Sequence, residues 1–230
     1  MEVRALPPAK RKIIDLPAFK ELPYTFFVAG CCVAFTGLYA PVSVQPETMT
    51  STNTNSLKFF YVEFFDITYH ITNENLAFYT LAIINSASVF GRVVPNFIAD
   101  KTGPMNIIIP AALISGVVCI CLIPVRTTAP LIVECILYGF FSGALVSLPP
   151  TIYVHLSLKN RGMIGTRMGM GFFVTSIGLL LGTPICGWIL NGSSFAYVWL
   201  FGGLLLLVGG TLMFCSRTAK IGGLSLTTKT

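Results

Sequence analysis

Two ionisable side chains, Arg92 and Glu134, stand inside long apolar stretches of the sequence. A charge in such a place is costly, so each is a functional candidate before anything else is known. At about 100° per residue Asn85, Ser88, Arg92 and Asn96 fall on one face of a helix. A polar stripe of that kind should face a water-filled cavity or another helix rather than lipid. The planar guanidinium of Arg92 can fork onto a carboxylate, which suits it to an organic anion. The alternative is structural: Arg92 snorkels to the interface or pairs with Asp100. Glu134 lies about one helical turn past the outer start of its stretch, as a proton carrier or as a wetted structural acid. His155, at the inner end of the same stretch, is an interfacial residue or a proton relay, and His70 reads as a solvated loop residue.

Other chemistries find no residues. Seven cysteines occur without a C-x-x-C pair or a His/Cys ligand spacing, so neither a metal nor a disulfide framework is expected. Gly169-Met170-Gly171 lacks the third glycine and the preceding strand of a dinucleotide loop. Glu134 and His155 are the sole acid–base pair available to an intramembrane enzyme. They sit on one helix about 30 Å apart. An enzyme is not expected, nor is any cofactor.

The elements that must hold Arg92 follow from composition. Of the 230 residues 54% are hydrophobic and 10% charged, with a mean hydropathy of +0.77. A soluble domain carries roughly 25% charged residues. The apolar residues gather in six blocks, 22–42, 75–99, 106–124, 129–156, 164–190 and 195–214. Each is near the roughly 20 residues that a helix needs to cross a bilayer, and none alternates as a barrel strand would. The fold class expected is an all-α membrane protein of six transmembrane helices whose first partner is the lipid bilayer. Residues 1–21 form a basic segment without the apolar core of a cleavable signal, 22–214 the six-helix domain, and 215–230 a tail.

The net charge of +6 does not point to nucleic acid, because Lys10, Arg11 and Lys12 form the one basic cluster and no aromatics interleave with it. The bases instead set orientation. Arg4, Lys10, Arg11, Lys12, Lys20, Lys101, Lys159, Arg161, Arg167, Arg217, Lys220 and Lys229 fall on one side, against Lys58 and Arg126 on the other. Both termini are therefore expected in the cytosol. The sequon at Asn191 falls in a very short outer connection and reads as a turn. Three glycine pairs at spacing four, Gly139/Gly143, Gly165/Gly169 and Gly178/Gly182, are expected where helices approach closely. Pro149-Pro150 and Pro184 should bend the fourth and fifth spans.

Four motifs in order give a resemblance. Gly91-Arg92-Val93-Val94-Pro95-Asn96-Phe97-Ile98-Ala99-Asp100-Lys101-Thr102-Gly103 resembles the cytoplasmic loop motif of the major facilitator superfamily in its second-half position. Asn75-Leu76-Ala77-Phe78-Tyr79, Ser88-Val89-Phe90-Gly91-Arg92, Tyr138-Gly139-Phe140-Phe141-Ser142-Gly143-Ala144 and Gly165-Thr166-Arg167-Met168-Gly169-Met170 are similar to its fungal monocarboxylate-porter-like branch. The resemblance covers about residues 11–215. It implies the second half of a twelve-helix fold, with solute bound between the halves and moved by alternating access. Such carriers, proton-linked symporters or facilitators, move monocarboxylates or other small organic solutes. By the resemblance Arg92 matches an arginine that contacts the substrate carboxylate; Asn85, Ser88 and Asn96 join it as candidate binding residues through the shared helix face. Ser88 stands where animal relatives have an acid. Gly91, Asp100, Lys101 and Gly103 match the motif that clasps the cytoplasmic gate.

The resemblance also implies that six helices belong ahead of residue 22. The expectations are a truncated carrier completed by its N-terminal half, a homodimer, or a non-transporting half that associates with full-length carriers, in the plasma membrane rather than the vacuolar one. Within the first outer loop, residues 42–58 interrupt family-like text that resumes at Phe59. They are rich in Thr, Ser and Asn, and they read as an insert or a retained intron: Val42-Ser43 can be encoded by a splice-donor sequence, and Lys58 can end in an acceptor. Residues 43–57 are then expected to pack on nothing.

Overall fold

Apolar runs of this length have one low-energy solution in a bilayer, because backbone amides must be bonded within the segment itself. The computed structural model describes residues 14–40, 74–125, 127–192 and 195–221, and they are helical almost throughout. A short 3-10 turn, Leu16–Lys20, leads into α1 (Leu22–Leu38). Then come α2 (Glu74–Thr102), α3 (Pro104–Cys121), α4 (Thr128–Ser147), α5 (Pro149–Leu156), α6 (Ile164–Gly192) and α7 (Phe195–Ile221). Five spans, with α4 and α5 counted as one, are long and apolar enough to cross a membrane; α1 is a shorter apolar helix. The chain is a multi-pass integral membrane protein.

Three boundaries depart from the sequence reading. The first span stops at Leu38, well before residue 42, and continues as a turn through Ala40. Ala40 precedes Pro41, and the residue before a proline is driven out of helical geometry. The fourth span is interrupted at Leu148, where Pro149 begins α5; Leu148 keeps helical dihedrals (φ −82°, ψ −30°), so the two pieces stay stacked. The last helix runs on to Ile221, beyond the expected end at 214. The proposed insert, residues 42–58, lies outside the described residues, as do Lys58, His70 and Arg126.

Neighbours follow the order α2, α4, α3, α7, α1, α6. Glycine sets several of the approaches. A Cβ on Gly139 would lie 2.9 Å from the Ala87 Cβ, and one on Gly143 would lie 2.5 Å from the Ser88 carbonyl oxygen, so α2 and α4 touch backbone to backbone. A Cβ on Gly178 or Gly182 would run into the Cys32 or Thr36 carbonyl of α1. Around Gly165 and Gly169 a Cβ would meet nothing within 4 Å. Tyr24, Tyr138, Tyr153 and Trp199 fill the core, while Phe97, Phe173, Leu180 and Trp188 point outward. The apolar windows of α2 and α6 are 28% buried, against 56% for α3, so those two helices carry the widest unpartnered faces. No disulfide joins the seven cysteines.

Candidate functional site

Because α2 and α4 approach through glycine, the polar stripe of α2 is brought against α4 and the C-terminal end of α1. There a cleft of about 80 Å³ is lined by Asn85, Ser88 and Arg92 of α2, Tyr138 and Ser142 of α4, and Tyr39 just beyond α1. Arg92 is the one formally charged lining residue among those described. It is exposed, so its guanidinium is open to a partner. Ser88 is nearly buried and its hydroxyl donates to the Asn85 carbonyl one turn back, at 2.8 Å. The Tyr138 hydroxyl donates to the Leu38 carbonyl and fixes α4 against the end of α1. The cleft can offer a fixed cation beside neutral hydroxyls and an amide, which is the chemistry of anion recognition rather than of bond making.

Asn96 is not among the lining residues; its side-chain amide donates to the Arg92 carbonyl at 2.6 Å. That bond sits beside Pro95, whose missing N–H leaves the Gly91 carbonyl without its helical donor. Arg92 and Asp100 form no ion pair, being eight residues or about 12 Å apart along α2. The four gate-motif residues do not form one cluster. Gly91 is buried in mid-helix, where a Cβ would collide with the Phe140 carbonyl of α4. Asp100 and Lys101 are exposed in the last turns of α2, and Gly103, at φ 97°, makes the turn into α3. Glu134 has one carboxylate oxygen buried with no hydrogen-bond partner, and His155 is partly buried near the end of α5.

The sequence reading counted Arg167 among the bases of the cytosolic side. The structure adds what the sequence reading did not assign: Arg167 lies in the first turn of α6, is 1% exposed, and pairs with both Asp15 and Glu21. The available signal was the pair of acids, Asp15 and Glu21, that flank Leu16–Lys20. A second, larger groove of about 610 Å³ opens beside this cluster. Leu16 and Phe19 line it on one side, and Gly165, Gly169, Met170 and Phe173 on the other.

No protein-family model matches the chain. Curated relatives do. It is 41% identical over 216 residues to the MFS-type transporter dbaD of Emericella nidulans, a match spanning 93% of this chain and 45% of the relative. It is 33% identical over 219 residues to the aspyridones efflux protein apdF of the same fungus, covering 95% of this chain and 41% of that one. The agnestins efflux protein AgnL12 of Paecilomyces divaricatus is 31% identical over 203 residues, 88% of this chain and 42% of its own length. The chain thus spans less than half the length of the curated transporters it matches.

Proposed function

We propose that the chain is a six-span half of a major facilitator carrier, and that with a second half it moves a small organic anion by alternating access. The observation that carries this is Arg92, the single formal charge in a cleft that α1, α2 and α4 build together. One guanidinium matches one carboxylate, so a monocarboxylate-like anion is the solute class we assign. The similarity to transporters over 93% of the chain supports carriage, and the two relatives named as efflux proteins favour export. The same relatives are more than twice as long as their matched regions, which supports a complementary bundle opposite the cleft. The count of loop bases supports cytosolic termini, and we place the protein in the plasma membrane. The polar stripe of α2 carries Ser88 rather than an acid beside Arg92, so the stripe itself gives proton symport no support.

The test is a chimera in which this chain replaces the matching region of dbaD, assayed in vesicles with radiolabelled pyruvate and benzoate. We expect saturable movement of at least one of the two, and a raised KM in the Arg92→Lys variant, which keeps the charge and loses the fork. If neither anion is carried, or if Arg92→Lys leaves KM unchanged, the assignment of an anion at Arg92 is wrong.

A further inference from the structure

Among the described residues the most deeply buried cation is Arg167, far from the cleft in sequence and on a different helix. Every nitrogen of its side chain is used. Nε donates to Asp15 Oδ2 at 2.9 Å, while Nη1 and Nη2 fork onto the Glu21 carboxylate at 3.0 and 2.7 Å. Its backbone carbonyl accepts the Tyr24 hydroxyl at 2.7 Å, so the first turn of α1 is tied to the same residue. The Asp15 backbone N–H donates to the Met170 sulfur, one turn further along α6, at 3.2 Å. Two carboxylates and one guanidinium thus fasten a strap, residues 15–21, across the ends of two helices.

We infer that Arg167 is a positioning residue that makes this strap part of one rigid body with the adjoining ends of α1 and α6, so that any rocking of the bundle carries the strap with it. The inference rests on the reading of the bundle as a moving half of a carrier. The strap cannot hold itself: Leu16–Lys20 is a five-residue 3-10 turn with no side-chain cap, too short to persist alone. Beyond the clamp it contributes the buried Ala18 and the edge-on contact of Phe19 with Tyr24, ring centroids 5.5 Å apart. The bundle has independent means of holding α1. Ser216 of α7 donates to the Pro23 carbonyl, the Tyr153 ring packs edge-on against Phe27 at 5.1 Å, and the glycines of α6 seat against Cys32 and Thr36. The clamp is therefore separable from the fold.

Hydrogen exchange on the 230-residue chain in lipid nanodiscs tests this. Two variants are compared with wild type: Arg167→Lys, which cannot fork, and the neutral triple Asp15→Asn, Glu21→Gln, Arg167→Gln, which leaves no buried charge unpaired. In both, the amides of Ala18 and Glu21, which bond the Asp15 and Ala18 carbonyls, should exchange about tenfold faster or more. Protection in α1 beyond Phe27 and in α6 beyond Phe172 should stay at the wild-type level. Unchanged exchange in the strap overturns the inference. So does an equal loss across α1, α6 and the strap in the triple variant, because Arg167 is then a staple of the whole fold. Either failure leaves the Arg92 reading intact, since that one is decided by KM for an anion.

Discussion

At the scale of single residues, the structure separates side chains that face the cleft from those that only share its helix face. Asn96 lies on the stripe with Arg92, yet its amide is turned onto the Arg92 carbonyl. Replacing it with alanine should therefore leave the KM for a transported anion unchanged while Arg92→Lys raises it, a contrast one uptake series can measure. Tyr138 faces the cleft and also anchors it, through its hydroxyl on the Leu38 carbonyl. Leu38 is the last residue of α1, so its carbonyl is one of the helix-end acceptors that side chains satisfy. Tyr138→Phe should cost about 1–3 kcal/mol, the usual penalty for stranding a buried polar group, read as a lower Tm in detergent.

Among the helices, glycine spacing marks where backbones meet, but it does not say which pairs have found a partner. Gly91 and Gly182 are closed in by carbonyl groups of α4 and α1, whereas Gly169 opens onto a groove. Gly91→Ala and Gly182→Ala should force neighbouring helices apart at a cost of about 1–3 kcal/mol each. Gly169→Ala should be neutral or gain up to about 1 kcal/mol from helix propensity, because its Cβ meets nothing. Thermal unfolding followed by circular dichroism ranks the three. The reverse order would mean that the α2–α4 and α1–α6 approaches are loosely packed.

For the whole molecule, α2 and α6 carry the widest open faces, and α2 also carries the exposed Arg92. The cleft has walls on α1, α2 and α4 and lacks an opposite side among the described residues. Purified 230-residue chain in liposomes is therefore expected to show no saturable uptake of pyruvate or benzoate; saturable uptake would show that this bundle needs no second half. The strap adds a stability prediction. A chain begun at Leu22 lacks Asp15 and Glu21, the partners of Arg167, and should lose about 3–5 kcal/mol relative to one begun at Ile14, read as a lower Tm.

The all-helical, multi-pass membrane character was legible in the sequence because bilayer thickness and backbone hydrogen bonding act on each segment alone; of the six blocks, five form helices long enough to cross. Blocks such as 106–124 and 164–190 declare themselves by composition, with no reference to their neighbours. The stripe from Asn85 to Arg92 was legible for a similar reason, since helical periodicity puts those residues on one face wherever the helix lies. Which helix that face would meet was not. Only the packed structure sets α2 against α4, withdraws Asn96 from the cleft, and brings in Tyr39 and Ser142, because these depend on contacts between segments distant in sequence. Arg167 shows the limit most clearly. In sequence it is one more base near a helix end, at home in water. It becomes a buried clamp only because folding sets the segment around Asp15 and Glu21, some 150 residues earlier, against the start of α6.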